Sequence, residues 1–305
     1  MKRFLVSTFV LFLALFGTAC GAGTQYTEAG HAGIDRAGNP VHFPETIETI
    51  VSLGPASTEI LVDLGFGNNI VGLDTFSVGI PGVSENLPTF DMMALDAELL
   101  IALMPDVIFA TGMVQVEGQD PLGLVREAGI EVFYIPTSDS IAGILEDIRF
   151  IAAVMHVDEI GAELVAGVEL EVAQIQEIAD SLDEALSVYF EISGPPFLFS
   201  FGHGVFLHEM IELIGAKNIF ADQSAWIAVS DESVPEMNPD VIFTNVAYIE
   251  DPVGEILSRT GWETVSAVQN ERVYFIDPDA SGRPSHNIVR ALREMAHALN
   301  PEAFD

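Results

Sequence analysis

Two blocks occur twice in this chain, in the same order, on either side of one long helical run. Glu59-Ile60-Leu61-Val62-Asp63-Leu64-Gly65 leads to Asn69-Ile70, and Glu209-Met210-Ile211-Glu212-Leu213-Ile214-Gly215 leads to Asn218-Ile219. Glu98 precedes Pro105-Asp106-Val107-Ile108-Phe109 by seven residues, and Glu232 precedes Pro239-Asp240-Val241-Ile242-Phe243 by the same interval. Between the two sets, residues 140–186 contain no proline. From Ile160 the apolar residues Leu164, Val168, Val172, Ile175, Ile178 and Leu182 follow at helical spacing, with Asp and Glu filling the gaps. The pattern predicts two similar halves joined by one helical spine.

Each half alternates short apolar strands with helices. Ile50–Leu53, Ile70–Leu73, Val107–Ala110 and Val132–Ile135 read as strands of the first half; Ser187–Ile192, Val241–Thr244 and Val273–Ile276 as strands of the second. Phe197–Phe201 is a further strand or strand edge, and Ser285–Leu299 a closing helix with Ile288, Ala291, Leu292, Met295 and Leu299 on one face. The expected fold class is therefore α/β, with two similar three-layer lobes of mainly parallel sheet joined by one long spine helix. The expected divisions are an N-terminal lobe over 34–139, the spine over 140–186 and a C-terminal lobe over 187–305. In such sheets ligands gather beyond the carboxyl ends of the strands.

The first 20 residues read as an export signal: Lys2 and Arg3, an apolar run from Phe4 to Phe16, then Gly17-Thr18-Ala19-Cys20. Cys20 is the only cysteine, so an internal disulfide is excluded. After small residues it reads either as the acylated cysteine of a lipoprotein or as incidental to a plain cleaved signal; acylation gives an unpaired exported thiol a use. Residues 21–33, rich in Gly, Ala and Thr, suit a flexible tether. With 46 acidic against 11 basic residues, the chain repels phosphates and is no nucleic-acid binder.

Enzyme signatures fail on inspection. Gly65-Phe66-Gly67 has Ile70 where a dinucleotide fingerprint needs its third glycine, and it follows a helix. His208-Glu209-Met210-Ile211-Glu212 lacks the second histidine of a zinc-protease helix, and the seven histidines show no metal-ligand spacing. The expectation is a binding protein with no catalytic residue, no metal site and no cofactor of its own. Candidate cleft residues at strand ends are Phe76, Phe90, Met92, Met113, Phe201, His203, Trp226 and Tyr248, which as a set suggest an apolar pocket between the lobes. Arg283, in Ser281-Gly282-Arg283-Pro284-Ser285-His286, has two readings: it meets an anionic group of the ligand, or it forms a salt bridge with one of many nearby acids.

Asp35-Arg36-x-Gly38, Ile50-Val51-Ser52-Leu53-x-Pro55-x-x-Thr58-Glu59, Pro105-Asp106-Val107-Ile108, Asn218-Ile219-Phe220 and Ser281-x-Arg283-Pro284 form a series. In that order they resemble the iron-complex and cobalamin substrate-binding proteins of ABC importers, over about Ile34 to Asn300. The resemblance implies a monomeric, membrane-anchored receptor on the outer face of the membrane, which serves a permease and its ATPase. It also implies that Glu98 and Glu232 dock onto permease arginines, and that Trp226 before Glu232 matches a cleft tryptophan of the cobalamin binders. Phe76 and Phe90 stand where those proteins carry Tyr and Trp.

The implied ligand is an iron complex of the siderophore type, with a corrinoid or haem as alternatives and an exported enzyme or sensor lobe as the rival class. Charge favours a neutral or cationic chelate, because Arg283 is the one evident cation for an anionic ligand. Haem stays open through His203 or Tyr248 as axial ligand.

Overall fold

The computed structural model of the chain describes residues 32–114, 120–182 and 185–304. The first half runs β1 (Ala32–Ile34), β2 (Pro40–His42), β3 (Ile50–Leu53), α1 (Pro55–Asp63), β4 (Ile70–Asp74) and β5 (Thr89–Phe90). It continues through α2 (Ala97–Leu103), β6 (Val107–Thr111), α3 (Gly123–Glu127) and β7 (Glu131–Ile135). Helices α4 (Ile141–Val154) and α5 (Asp158–Ala179) lead to the second half. There β8 (Ser187–Glu191), β9 (Leu198–Phe201), α6 (Phe206–Leu213), β10 (Lys217–Asn218), β11 (Trp226–Val229) and α7 (Ser233–Met237) come first. The chain ends with β12 (Val241–Thr244), α8 (Pro252–Leu257), α9 (Ser266–Gln269), β13 (Val273–Phe275), α10 (Pro278–Gly282), α11 (Ile288–Leu299) and α12 (Pro301–Phe304).

The first half forms a parallel sheet in the order β5-β4-β3-β6-β7, and the second a parallel sheet in the order β10-β8-β12-β13. Without β5 the two orders correspond strand for strand. The β9 strand departs from the expected pattern by pairing antiparallel with β11 in a separate ribbon. Because a strand's side chains alternate in direction, both faces of each sheet are apolar. Ile50, Phe109 and Phe133 face an inner core with Val188, Phe190 and Phe243, continuous through α4 and α5. Val51, Ile108 and Val132 face a separate outer core under α2 and α3, and Tyr189, Ile242 and Val273 another under α7, α8 and α9. Each sheet thus has helices on both faces, and the inner helical layer is shared.

The spine is two helices where one was expected. A Schellman-type stop ends α4: the Val157 N–H bonds the Ala152 carbonyl (2.9 Å), the His156 N–H bonds that of Ala153 (3.2 Å), and His156 is left-handed at φ 59°. Its ring Nε2 lies 2.8 Å from the Pro44 carbonyl. The turn lets α5 fold back across α4 at Gly161, where a side-chain carbon would sit 2.3 Å from the Ala152 methyl. The apolar stripe accordingly runs through Gly161, Val165, Val168, Ile175 and Ala179, and Ile160 is exposed.

The duplication extends to individual hydrogen bonds. Asp106 accepts from the Glu48 and Thr49 N–H groups (both 2.8 Å) and the Thr49 hydroxyl (3.0 Å), and Asp240 accepts from the Ser187 N–H (2.9 Å) and hydroxyl (2.6 Å). In each half an aspartate at the start of one central strand thereby holds the start of its neighbour. The Ser187 hydroxyl holds the Asp240 carboxyl below its ordinary value. At Asp106 slight burial pushes the other way and is outweighed by the bonds from Glu48 and Thr49. A carboxyl lowered by folding stabilises above its unfolded value of 3.8, and that contribution is lost as pH falls through the folded value. Both groups touch solvent, so Asp240→Ala is expected to cost only about 1–2 kcal/mol in urea denaturation at neutral pH. Its stability should also fall less steeply in acid than that of the parent; an unchanged acid slope would refute the assignment.

Candidate functional site

Beyond the carboxyl ends of β3, β6 and β7 lies a cleft of about 380 Å3. Its first wall is the start of α1 (Gly54 to Ser57, with Ile60), Thr111 at the end of β6, and Ile135-Pro136-Thr137 leaving β7. The opposite wall is Pro278-Asp279 and Gly282-Arg283-Pro284, from the other half of the chain. Phe76, Met92 and Met113 complete it, so most of the lining is apolar.

A buried polar chain carries Phe76 to the cleft. Asp74 accepts from the Phe76 N–H (2.8 Å) and from the Ser77 hydroxyl. Ser77 Oγ lies 3.1 Å from Thr58 Oγ1, which donates to Ser52 Oγ (2.8 Å). Asp74, Ser77, Thr58 and Ser52 are fully enclosed, and burial pushes the Asp74 carboxyl above its ordinary value despite these bonds. The turn they fix leaves the Phe76 ring 61% exposed over the cleft.

Asp147, another lining residue, accepts from Arg36 Nε (2.6 Å) and from the Ser138 hydroxyl (2.5 Å). Burial outweighs both and keeps its carboxyl above the ordinary value. Arg36 also reaches Glu146 (2.6 Å), while Asp35 accepts from the Tyr134 N–H (2.9 Å). The Asp35-Arg36-x-Gly38 motif is therefore the device that fastens the β1–β2 hairpin to β7 and α4.

Arg283 answers to the second of its two readings. Its Nη1 donates to Glu59 Oε1 (2.7 Å), and its Nη2 lies 2.8 Å from Asp279 and 3.4 Å from the Phe76 carbonyl. Glu59 also accepts from Ser285 Oγ (2.5 Å) and Asn287 Nδ2 (3.0 Å). These bonds hold residues 285–287 as a turn, which is why the last helix begins at Ile288 and not at Ser285.

Of the expected cleft residues, Phe76, Met92, Met113 and Arg283 line the cavity. Phe90 and Phe201 do not: Phe90 is 2% exposed in the outer core of the first sheet, and Phe201 is wholly buried against Phe190 and Trp226. Both end a strand with the side chain turned to a core face, a direction that spacing alone does not fix. His203, Trp226 and Tyr248 are exposed on the second half but outside the cavity lining. The His203 Nδ1 lies 3.2 Å from the Ala221 carbonyl, and the Tyr248 hydroxyl accepts from the Gly194 N–H (2.8 Å). Glu98 and Glu232 are exposed at the starts of α2 and α7, and neither side chain has an ionic or hydrogen-bonding partner among the described residues. Cys20, the signal and residues 21–31 of the tether lie outside the described residues. Sequence reading missed Glu59, Asp147 and the Pro136-Thr137 exit of β7. The last was available from the strand-end rule; the other two depend on partners more than a hundred residues away.

The model of the periplasmic binding protein family matches residues 50–280. The chain belongs to this family. Among its relatives is an ABC transporter substrate-binding lipoprotein of Bacillus subtilis, YvrC, 31% identical over 283 residues, covering 92% of this chain and 89% of that protein. A vitamin B12-binding protein of Vibrio cholerae is 26% identical over 262 residues, covering 84% and 90%. The crystal structure of the periplasmic haem-binding protein HutB of Vibrio cholerae aligns with a TM-score of 0.74 at 26% identity, covering 83% of this chain and 99% of that one. The periplasmic binding protein described here is thus the exported substrate-binding protein of an ABC importer, a solute receptor and not an enzyme, working with a permease and an ATPase.

Proposed function

We propose that this receptor captures a metal complex that keeps its own coordination shell, a siderophore-type iron chelate or a corrinoid, in the cleft between its halves. The observation that carries this reading is the lining, apolar over most of its surface and with one guanidinium already matched by Glu59 and Asp279. A ligand that exchanges water for such walls does so at least cost when it has little free charge. Among the described residues the lining holds no His, Tyr, Cys or Lys, so haem would meet no imidazole, phenolate or thiolate ligand, only the thioethers of Met92 and Met113, and no unmatched cation for its propionates. The vitamin B12-binding relative supports the corrinoid branch of this reading.

The reading includes acylation of Cys20 as the membrane anchor, in keeping with the lipoprotein relative, and action as a monomer. Glu98 and Glu232 are its contacts with the permease. Trp226, half exposed where Trp262 is buried, is the fluorescence reporter. Titration of the full chain in detergent should give saturable quenching with a neutral ferric trihydroxamate or with cyanocobalamin. Tight haem binding with a shifted Soret band, and no response to either chelate, would overturn the reading.

A further inference from the structure

We propose that Glu59 is a specificity-determining residue of the cleft, acting through Arg283 and not by touching the ligand. The inference rests on the reading of the cleft as a metal-chelate site. Arg283 lines the cavity, whereas Glu59 stands behind it on α1. The two side chains are 17% and 7% exposed, so their attraction is only weakly screened. The other ionic partner of Arg283, Asp279, is 57% exposed and lies four residues earlier in α10, a pairing that water and salt weaken. Glu59 is therefore the group that cancels the guanidinium. With it in place, a ligand meets the polar edge of a closed ion pair; without it, the ligand meets a cation in an apolar wall.

The same contact assigns Glu59 a position between the halves. Its three donors, Arg283, Ser285 and Asn287, all come from the connection between α10 and α11. One turn further along α1, the Asp63 carboxylate lies 2.6 Å from His286 Nε2, so the same segment touches α1 at a second point. Glu59→Gln removes the charge, keeps one oxygen to accept from both Ser285 Oγ and Asn287 Nδ2, as Oε2 does in the parent, and leaves Asp63 in place. The segment should then stay seated while its electrostatics change.

The test is the ratio of affinities of the full chain for a strongly anionic ferric tris-catecholate and a neutral ferric trihydroxamate, measured by fluorescence quenching. Glu59→Gln is expected to move the ratio toward the anionic chelate by about ten-fold. Arg283→Gln, which leaves the Glu59 carboxylate unmatched, is expected to move it the other way, and this arm stands even if the first variant fails to fold. The double variant should return to the parent ratio. Equal weakening of both chelates in each single variant would mean that the contact only holds the halves together, and would overturn the inference alone. A parent chain that binds neither chelate would overturn the receptor reading and the inference together.

Discussion

Replacing Glu98 and Glu232 together by arginine is expected to abolish delivery of ligand to the permease while leaving capture of that ligand intact. The two carboxylates occupy the same place in the two halves of the molecule. Each stands at the start of a short helix, six residues before a left-handed residue that ends it, Met104 (φ 47°) in one half and Asn238 (φ 45°) in the other. The next two residues are Pro105-Asp106 and Pro239-Asp240, whose aspartates anchor the following strands. Two charges placed by the same framework in both halves give an oriented, two-point contact for a partner with matching cations. Neither carboxylate has a partner among the described residues, so reversing them breaks no bond there. The only internal cost is an unfavourable charge at two helix starts, about 0.3–1 kcal/mol each. Juxtaposed like charges at an interface cost several kcal/mol, so uptake should fall by about a hundred-fold in the double variant and by about ten-fold in each single one. The measurement is ligand uptake by cells or proteoliposomes carrying the cognate permease, with chelate affinity determined in parallel. Undiminished uptake by the double variant would remove both residues from the docking surface.

What the sequence shows of the fold and the site follows from the range of the interactions involved. The duplicated blocks identified the two sheets because strands and their helices are set by local patterns, and the order β4-β3-β6-β7 reappears as β10-β8-β12-β13. The Pro-Asp pairs were legible as landmarks, though not as strand clips, since Thr49 and Ser187 precede them by 57 and 53 residues. The break between α4 and α5 was hidden because its left-handed residue is His156, where a glycine would have announced it. Phe90 and Phe201 were misplaced because burial at a strand end depends on the face that the last side chain takes. Arg283 was recognised as unusual in so acidic a chain, yet its partner Glu59 is 224 residues away, and only the packing of α1 against the second half selects it.

The largest single loss of stability is expected from Arg259→Met, beneath the strand ends of the second sheet. Arg259 makes a bidentate pair with Glu191 (2.7 and 2.9 Å), bonds Glu255 through Nε (3.1 Å), and lies over the Trp262 ring at 4.3 Å. Glu191 is 1% exposed and also accepts from the Tyr189 hydroxyl (3.3 Å). Burial pushes the Glu191 carboxyl upward even with the guanidinium present. Methionine fills much of the space of the arginine stem over Trp262, but it leaves a buried carboxylate with no cation, a change that costs about 3–5 kcal/mol. That is a large part of the roughly 5–15 kcal/mol that holds a folded chain together. The sign of the pH dependence separates lost charge from lost packing. With Arg259 gone, the folded carboxyl is raised further above its unfolded value, so the folded state binds the proton more tightly and the deficit shrinks as pH falls. A packing defect would leave the deficit constant. Glu191→Gln in the same chain should recover most of the loss at neutral pH, because the amide still accepts from Tyr189 and no charge remains to be matched. The comparison is urea denaturation of parent, single and double variants across the acid range. A single variant within about 1 kcal/mol of the parent, or a double variant no better than the single, would show that the ion pair is not what stabilises this layer.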